Sequence, residues 1–407
     1  MNIKRIKSSL FFSCLPLFLM AQYTGTGKVS QGRATAISTN IFTCTNGRVT
    51  SIGNSVATDN SNWVVPSANH FNDINFPVAS DLHNVCNGAT YSNATAAIAA
   101  LNGNDIITID ASGEVYTAYI FADNYFELYI NGVPVGKDKV PYTQFNSSIV
   151  RFKVNKPFTI AMLLVDWEEN LGLGTELNGS AAYHAGDGGL VCVIKNTSNQ
   201  TIAISNNNWK AQTFYTSPIK DLTCPTEVGN LRLTAYCSTA DASNGENNYA
   251  LHWEVPSNVM LSTFDDTNWP NASVYSNSTV GVMNKPAYTN FTDIFDEPNN
   301  DAQFIWSSNL ILDNQVIVRH TVNNTLGIEE FNNGSIEIYP NPSNAIFYLQ
   351  TQNYSIKNIK VYDLLGNLLI DKYSEFDQIN LAHLTKGTYL IKVQTNNSII
   401  NKKIIIN

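Results

Sequence analysis

Residues 118–136 read AYIFADNYFELYINGVPVG. Phe126, Leu128 and Ile130 alternate with Tyr125, Glu127 and Tyr129, the period-two pattern of a strand with two unlike faces. The pattern stops at Asn131-Gly132, a dipeptide preferred in type I′ hairpins because both central residues need positive φ. Further along, Val150, Phe152 and Val154 alternate with Ile149, Arg151 and Lys153, a half-buried strand. Phe158–Val165 is an almost unbroken apolar run, as in a strand covered on both faces, and Val316–Val322 alternates again. Only Ser92–Leu101 (SNATAAIAAL) departs from this, since its alanines favour one short helix that Gly103 can stop. The body therefore reads as all-β, a β-sandwich of jelly-roll type, either one large module or two in tandem.

The 407 residues suit two or three domains, and 43% hydrophobic with 11% aromatic residues is enough for packed cores. Lys plus Arg number 24 against 33 Asp plus Glu, a net charge of −9. A surface that acidic repels phosphate backbones, which argues against nucleic acid as a partner. No apolar run reaches the roughly 18 residues of a membrane span, so no transmembrane segment is expected. Residues 1–21 read as a signal peptide: Lys4, Arg5 and Lys7 precede the apolar stretch Leu10–Met20, with cleavage expected after Ala21 to leave Gln22 first. Phe11-Phe12-Ser13 before Cys14 makes a poor lipidation signal.

Cys44, Cys86, Cys192, Cys224 and Cys237 remain after cleavage. Export permits disulfides, and an odd number leaves one thiol over. Overall connectivity is not readable, although Cys224 and Cys237 enclose a short loop and are the preferred pair. No Cys/His spacing suits zinc.

The last 73 residues differ in character. Residues 335–407 hold no Trp and no Cys, and carry seven lysines against five acids. Thr325–Asn333 separates them from the body, so the expected division is a body at 22–324, a linker at 325–334 and a tail at 335–407. In the tail, Tyr339-Pro340-Asn341-Pro342 is a rigid break, and Asp363-Leu364-Leu365-Gly366-Asn367 is a turn between strands. Short strands at even spacing suggest a small immunoglobulin-like sandwich.

IYPNPS (338–343), IKVYDLLGNLL (359–369), INLAHLTKGTYLIKV (379–393) and the terminal KKIIIN occur in the order found in the C-terminal sorting domain of type IX secretion cargo, which this tail resembles. The matching positions include Pro340, Asn341, Pro342, Tyr362, Asp363, Gly366, Gly387, Tyr389, Lys402 and Lys403. The resemblance implies the type IX machinery as a partner, and a secreted or cell-surface destination.

The body has its own matching segments. They are 118–136, FKVNKPFTIAMLLVDW (152–167), GDGGLVCVI (186–194), NNNWKAQ (206–212), FDDTNWPNASVY (264–275) and 302–322. These resemble galactose-binding-like jelly-roll modules, which often bind sugars and sometimes only brace an enzyme domain. Residues 30–105 match nothing.

Several constellations bear on chemistry. Asp166 and Glu168, two apart, would share a strand face about 6–7 Å apart, but Glu169-Asn170 and Gly172 end the strand. They read as solvated loop carboxylates rather than a glycosidase pair. Tyr183-His184-Ala185-Gly186-Asp187 sets a histidine and an aspartate in a flexible loop. Asp265-Asp266 and Asp123-Asn124 offer oxygens of the kind calcium takes, without EF-hand spacing, so no cofactor is expected beyond a structural calcium. All six tryptophans lie in the body, and Asp59–Trp63 and Asp265–Trp269 share one frame, Asp, two residues of turn, Asn, Trp. Asn124, Glu127, Trp167, Glu168, His184, Asp187 and Trp209 are the candidate ligand-binding residues, because sugar sites combine aromatic faces with amides and carboxylates. With no GxSxG, HExxH or phosphate-loop motif, the expectation is a non-catalytic binding or adhesion protein recognising carbohydrate. The alternatives are a glycan hydrolase or lyase, and a surface-layer or biofilm-matrix protein binding other proteins.

Overall fold

The computed structural model describes residues 23–37, 44, 51–65, 70, 71, 73–101, 105–139, 145–166, 168–242, 244–324, 336–351, 356–395 and 399–407. The signal segment, Gly103, Trp167 and the 325–334 linker lie outside these residues. Two compact units result, Met1–Asn323 and Asn324–Asn407.

The first unit is a single sandwich whose strands come from the whole stretch between Lys28 and Val322. One sheet runs, antiparallel throughout, in the order Lys28–Gln31, Tyr249–His252, Lys210–Ile219, Asp313–Val322, Phe158–Val165, Tyr125–Ile130, Val133–Lys137. The facing sheet runs Ser273–Tyr275, Phe304–Trp306, Gly189–Asn196, Glu114–Asp123, Ser147–Val154, Ser80–Asn84, Ala89–Thr90. Between them lie Phe126, Leu128, Ile130, Ile160, Met162 and Leu164 from the first sheet, against Ile120, Phe152 and Cys192 from the second. The hairpin forms at Asn131-Gly132, with φ of 53° and 84°, and Val133 pairs with Ile130.

One expectation is corrected here. The alternation in Tyr125–Ile130 suggested two unlike faces, yet all six residues are buried. The outer face of the sheet has a second apolar layer, in which Tyr125, Leu163 and Val165 pack with Phe214 and Trp253. Tyr129 packs with Phe76 and Ala161. Glu127 is thus an interior residue.

Ala94–Ala99 is the short helix, with Asn93 Oδ1 accepting from Ala96 N at 2.9 Å as its N-cap. The two matching frames fold alike: Asp59 Oδ1 accepts from Ser61 N and Oγ at 3.0 and 2.5 Å. Asp265 Oδ1 accepts from Thr267 N and Oγ1 at 3.1 and 2.6 Å. Each is an Asp-nucleated turn delivering a Trp to the outer face. Trp63 stacks on His252 at 5.3 Å and Trp269 packs on Phe264 at 5.4 Å. Cys224–Cys237 and Cys44–Cys86 are disulfides, and Cys192 is a buried thiol.

The second unit stacks two antiparallel sheets. One holds Ile336–Tyr339, Ile346–Thr351 and Gln378–Asn380; the other holds Leu368–Lys372, Ile356–Tyr362, Gly387–Thr395 and Ile399–Ile406. Phe347, Ile359, Val361, Ile391, Val393 and Ile404 fill the core. The Pro340-Asn341-Pro342 break has a clear function. Asn341 Nδ2 donates to Lys403 O at 2.8 Å and its Oδ1 accepts from Ile405 N at 2.9 Å, tying the opening turn to the last strand. Asp363 accepts from Leu365 N, Asn367 N and Asn367 Nδ2, closing the turn at Gly366, where φ is 87°.

Candidate functional site

At one end of the sandwich, Phe158–Val165 gives way to Asp166, whose N–H donates to Asn314 O at 2.9 Å. Residues 168–189 form a loop face. Its first part folds around Glu168. The carboxylate is fully buried and accepts from Leu173 N and from the backbone of Gly172 and Gly174. Gly172 and Gly174 have φ of 82° and 58°, the left-handed turns that aim these N–H groups inward. Burial pushes Glu168 up to about 7 against the pull of those donors. Asn170 Nδ2 then reaches Ala182 O at 2.7 Å, joining this loop to the hairpin of Glu176–Asn178 with Ala181–His184.

His184 ends that hairpin at the surface. Its Nδ1 lies 2.6 Å from Asp241 Oδ1, and both side chains are partly solvent-exposed. Asp241 is held from several directions. Lys220 Nζ donates to Ala240 O and Asp241 O at 2.6 and 2.7 Å. Ala242 N donates to Tyr183 O at 2.8 Å, and Cys224–Cys237 closes the loop just before it. Asp187, three residues past His184, is partly buried. Burial pushes its carboxyl up to about 6, and His184 draws it down. The result is a fixed imidazole–carboxylate pair beside a half-desolvated second carboxylate.

Of the candidates read from sequence that lie among the described residues, this face brings together only His184 and Asp187 at the surface; Trp167 lies outside them. Trp209 is fully enclosed; its Nε1 donates to Ile204 O at 2.8 Å and its ring stacks on His320 at 5.2 Å. It is a core residue with no face for a ligand. Asn124 is buried at the sandwich end. Asp166 and Glu168 are not the solvated pair expected, since both are buried. Glu127 is also enclosed, and its oxygens meet His70 N, His70 Nδ1, Tyr125 OH and Tyr129 OH at 2.9–3.0 Å. That bond holds the partly exposed His70 above its ordinary pKa. Lys137 Nζ donates to the carbonyls of His70, Phe71 and Asp73 at 2.6–2.8 Å, so the cluster pins this segment to the sheet. Asp241 and Lys220 were missed by sequence reasoning. Asp241 lies 57 residues from His184, and no local pattern links them.

Among the described residues no group of three or more His, Cys, Asp or Glu side chains could hold a metal ion. The turns expected to offer calcium oxygens use them internally. Asp265 caps its own turn, Asp266 Oδ2 accepts from Arg319 Nε at 2.7 Å, and Asp123 Oδ1 accepts from Asn124 Nδ2.

The second unit, with its tied opening turn and seven short strands, coincides with a match to the family described as the secretion system C-terminal sorting domain, over residues 337–407. Residues 337–407 are a sorting domain of that family. Such a sorting domain marks export by the type IX system to the extracellular space or cell surface, so this is an exported protein that engages that machinery. No helix among the described residues is long and apolar enough to cross a membrane. An ulvan lyase of Nonlabens ulvanivorans is 29% identical over 87 residues, which cover 20% of this chain and 16% of that protein. A β-D-glucuronidase from Dictyoglomus thermophilum aligns at 9% identity and TM-score 0.14, over 72% of this chain and 33% of that one. An apo lectin from Pleurotus ostreatus aligns at 12% identity and TM-score 0.18, over 95% of this chain and 86% of its own. TM-scores this low establish no shared fold.

Proposed function

We propose that the exported body, with the signal peptide removed, binds carbohydrate without cleaving it, through the face carrying Tyr183, His184, Asp187 and Asp241. One observation supports this reading above the rest: the 2.6 Å His184–Asp241 pair, at the surface on a loop braced by a disulfide and by Lys220. Sugar hydroxyls both donate and accept, so a site needs an N–H donor and carboxylate acceptors already in place. Bracing lowers the ordering cost of binding. Asp187, already stripped of much of its water, gives up less hydration when a hydroxyl reaches it.

The test is glycan-array and insoluble-polysaccharide binding by the purified exported chain. His184→Ala and Asp187→Asn should each weaken binding at least tenfold while leaving the melting temperature near that of the parent. Affinity should also fall as pH drops from 7 to 5, because the ionised Asp187 carboxylate is the acceptor and protonates near 6. Asp187→Asn should flatten that profile. Binding unchanged in both variants would sink the proposal.

A second reading, a glycan lyase or hydrolase, takes support from the same carboxyl. A group titrating near 6 can serve as a general acid at neutral pH, and one partial relative is a lyase. Polysaccharide cleavage by the pure protein, abolished in Asp187→Asn, would establish that reading instead.

A further inference from the structure

The four-stranded sheet of the sorting domain runs Leu368–Lys372, Ile356–Tyr362, Gly387–Thr395, Ile399–Ile406. Ile359, Val361, Ile391, Val393, Ile404 and Ile406 belong to the core. Side chains alternate across a strand, so Lys360, Tyr362, Leu390, Lys392, Lys403 and Ile405 stand on the opposite face. None of these six is buried, and Lys403 is exposed.

Strand register places the charges on that face. Lys360 stands directly opposite Lys392. Lys403 stands opposite Leu390, which sets it diagonally from Lys392 at about 7–8 Å. Asp371 holds Lys360 at 3.1 Å and is itself fixed by Asn358 Nδ2 at 2.6 Å. Lys392 and Lys403 have no acidic partner among the described residues. Like charges directly opposite each other destabilise a sheet. The packing does not ask for lysine at either position, since the alternate residues supply the core, and the Asn341 latch meets Lys403 at its backbone carbonyl. A local rule broken without a gain in stability is expected where a surface has a task.

We propose that this sheet face is where the sorting domain meets the type IX machinery, and that it docks on an acidic protein patch there. Membership of the sorting family brings the machinery as partner without saying which face meets it. The unneutralised lysines select this face, because cations left without carboxylates in their own domain find them on a complementary partner. Tyr362 and Leu390, in register between the lysines, supply apolar contact at the centre with charge around it. An anionic membrane is the poorer fit. Basic segments that hold to lipid carry about 4–8 Lys or Arg, whereas here one lysine of three is already neutralised by Asp371.

The experiment follows the full chain in a cell that carries the type IX system, comparing protein outside the cell or on its surface with protein held inside. Reversing both unneutralised charges, Lys392→Glu with Lys403→Glu, should cut the exported fraction by about tenfold, since it sets like charges against each other across the interface. The retained protein should be folded and melt no lower than the parent, because reversal removes the Lys360–Lys392 opposition. Lys392→Arg with Lys403→Arg should export as the parent does. If the reversed chain fails to fold, Lys392→Thr with Lys403→Thr decides the matter, and its export should fall too. Export at the parent's level in the reversed or the threonine chain overturns the proposal, as does an equal loss in the arginine chain. Binding of the parent to phosphatidylglycerol vesicles, abolished by the reversal, would also overturn it and give the face to a membrane.

Discussion

Replacing Arg319 by methionine is expected to destabilise the body by about 3–5 kcal/mol. Arg319 is among the largest fully buried side chains of the protein. Its Nε donates to Asp266 Oδ2 at 2.7 Å, one terminal nitrogen to Val259 O and the other to Leu261 O at 3.1 Å. Its guanidinium also lies over Phe264, 5.1 Å from the ring centre. The side chain thus stitches segment 259–266 to the strand Asp313–Val322. Methionine fills much of the volume but satisfies neither carbonyl, and each buried orphan costs about 1–3 kcal/mol. Asp266 keeps some contact with water and loses less. Lysine should fare little better, because a single ammonium cannot span three acceptors in a planar fork. Urea unfolding of both variants is the measurement. A loss under 1 kcal/mol would mean that the segment repacks without its arginine.

Trp209→Ala should cost a similar amount, about 3–5 kcal/mol, through the cavity it leaves. The indole is fully enclosed, stacks on His320 with an interplanar angle of 8°, and spends its N–H on Ile204 O. Phenylalanine should recover part of the loss and leave the carbonyl orphaned. The pattern across variants is the informative part. Trp209→Ala should lower stability while the folded fraction retains full ligand affinity, and His184→Ala should do the reverse. Calorimetric melting paired with binding at a temperature well below the transition separates the two. Selective loss of ligand in Trp209→Ala, with stability intact, would return the indole to the binding residues.

The all-β class was legible because period-two alternation and turn dipeptides act locally. Asn131-Gly132 needs no distant partner to make a hairpin, and Asp265 needs only Thr267. The sorting domain was legible because its motifs stand in order along the chain, although only the Asp363–Asn367 turn closes on itself and the YPNP turn needs the distant last strand. What was not legible depends on distant segments. Glu127 looks like a surface residue on a two-faced strand until segment 70–76 covers it with His70 and Phe76. Asp241 and His184 meet because Lys220 and a disulfide hold one loop against another. Glu168 followed a strand that had ended, which suggested exposure. Instead its loop turns inward, and two positive-φ glycines supply the donors that replace water. Tryptophan misled for a different reason, since an indole suits a sugar platform and a sandwich core equally well.

The bonds from Asn341 to Lys403 and Ile405 have a consequence for self-association. The strand that receives them, Ile399–Ile406, also covers the open edge of Gly387–Thr395. Without Ile399–Ile406, the YPNP turn would lose its latch and Gly387–Thr395 would show a bare edge prone to pair with other chains. One strand thus both fastens the opening turn and seals a sheet edge, so disturbing it undoes both at once.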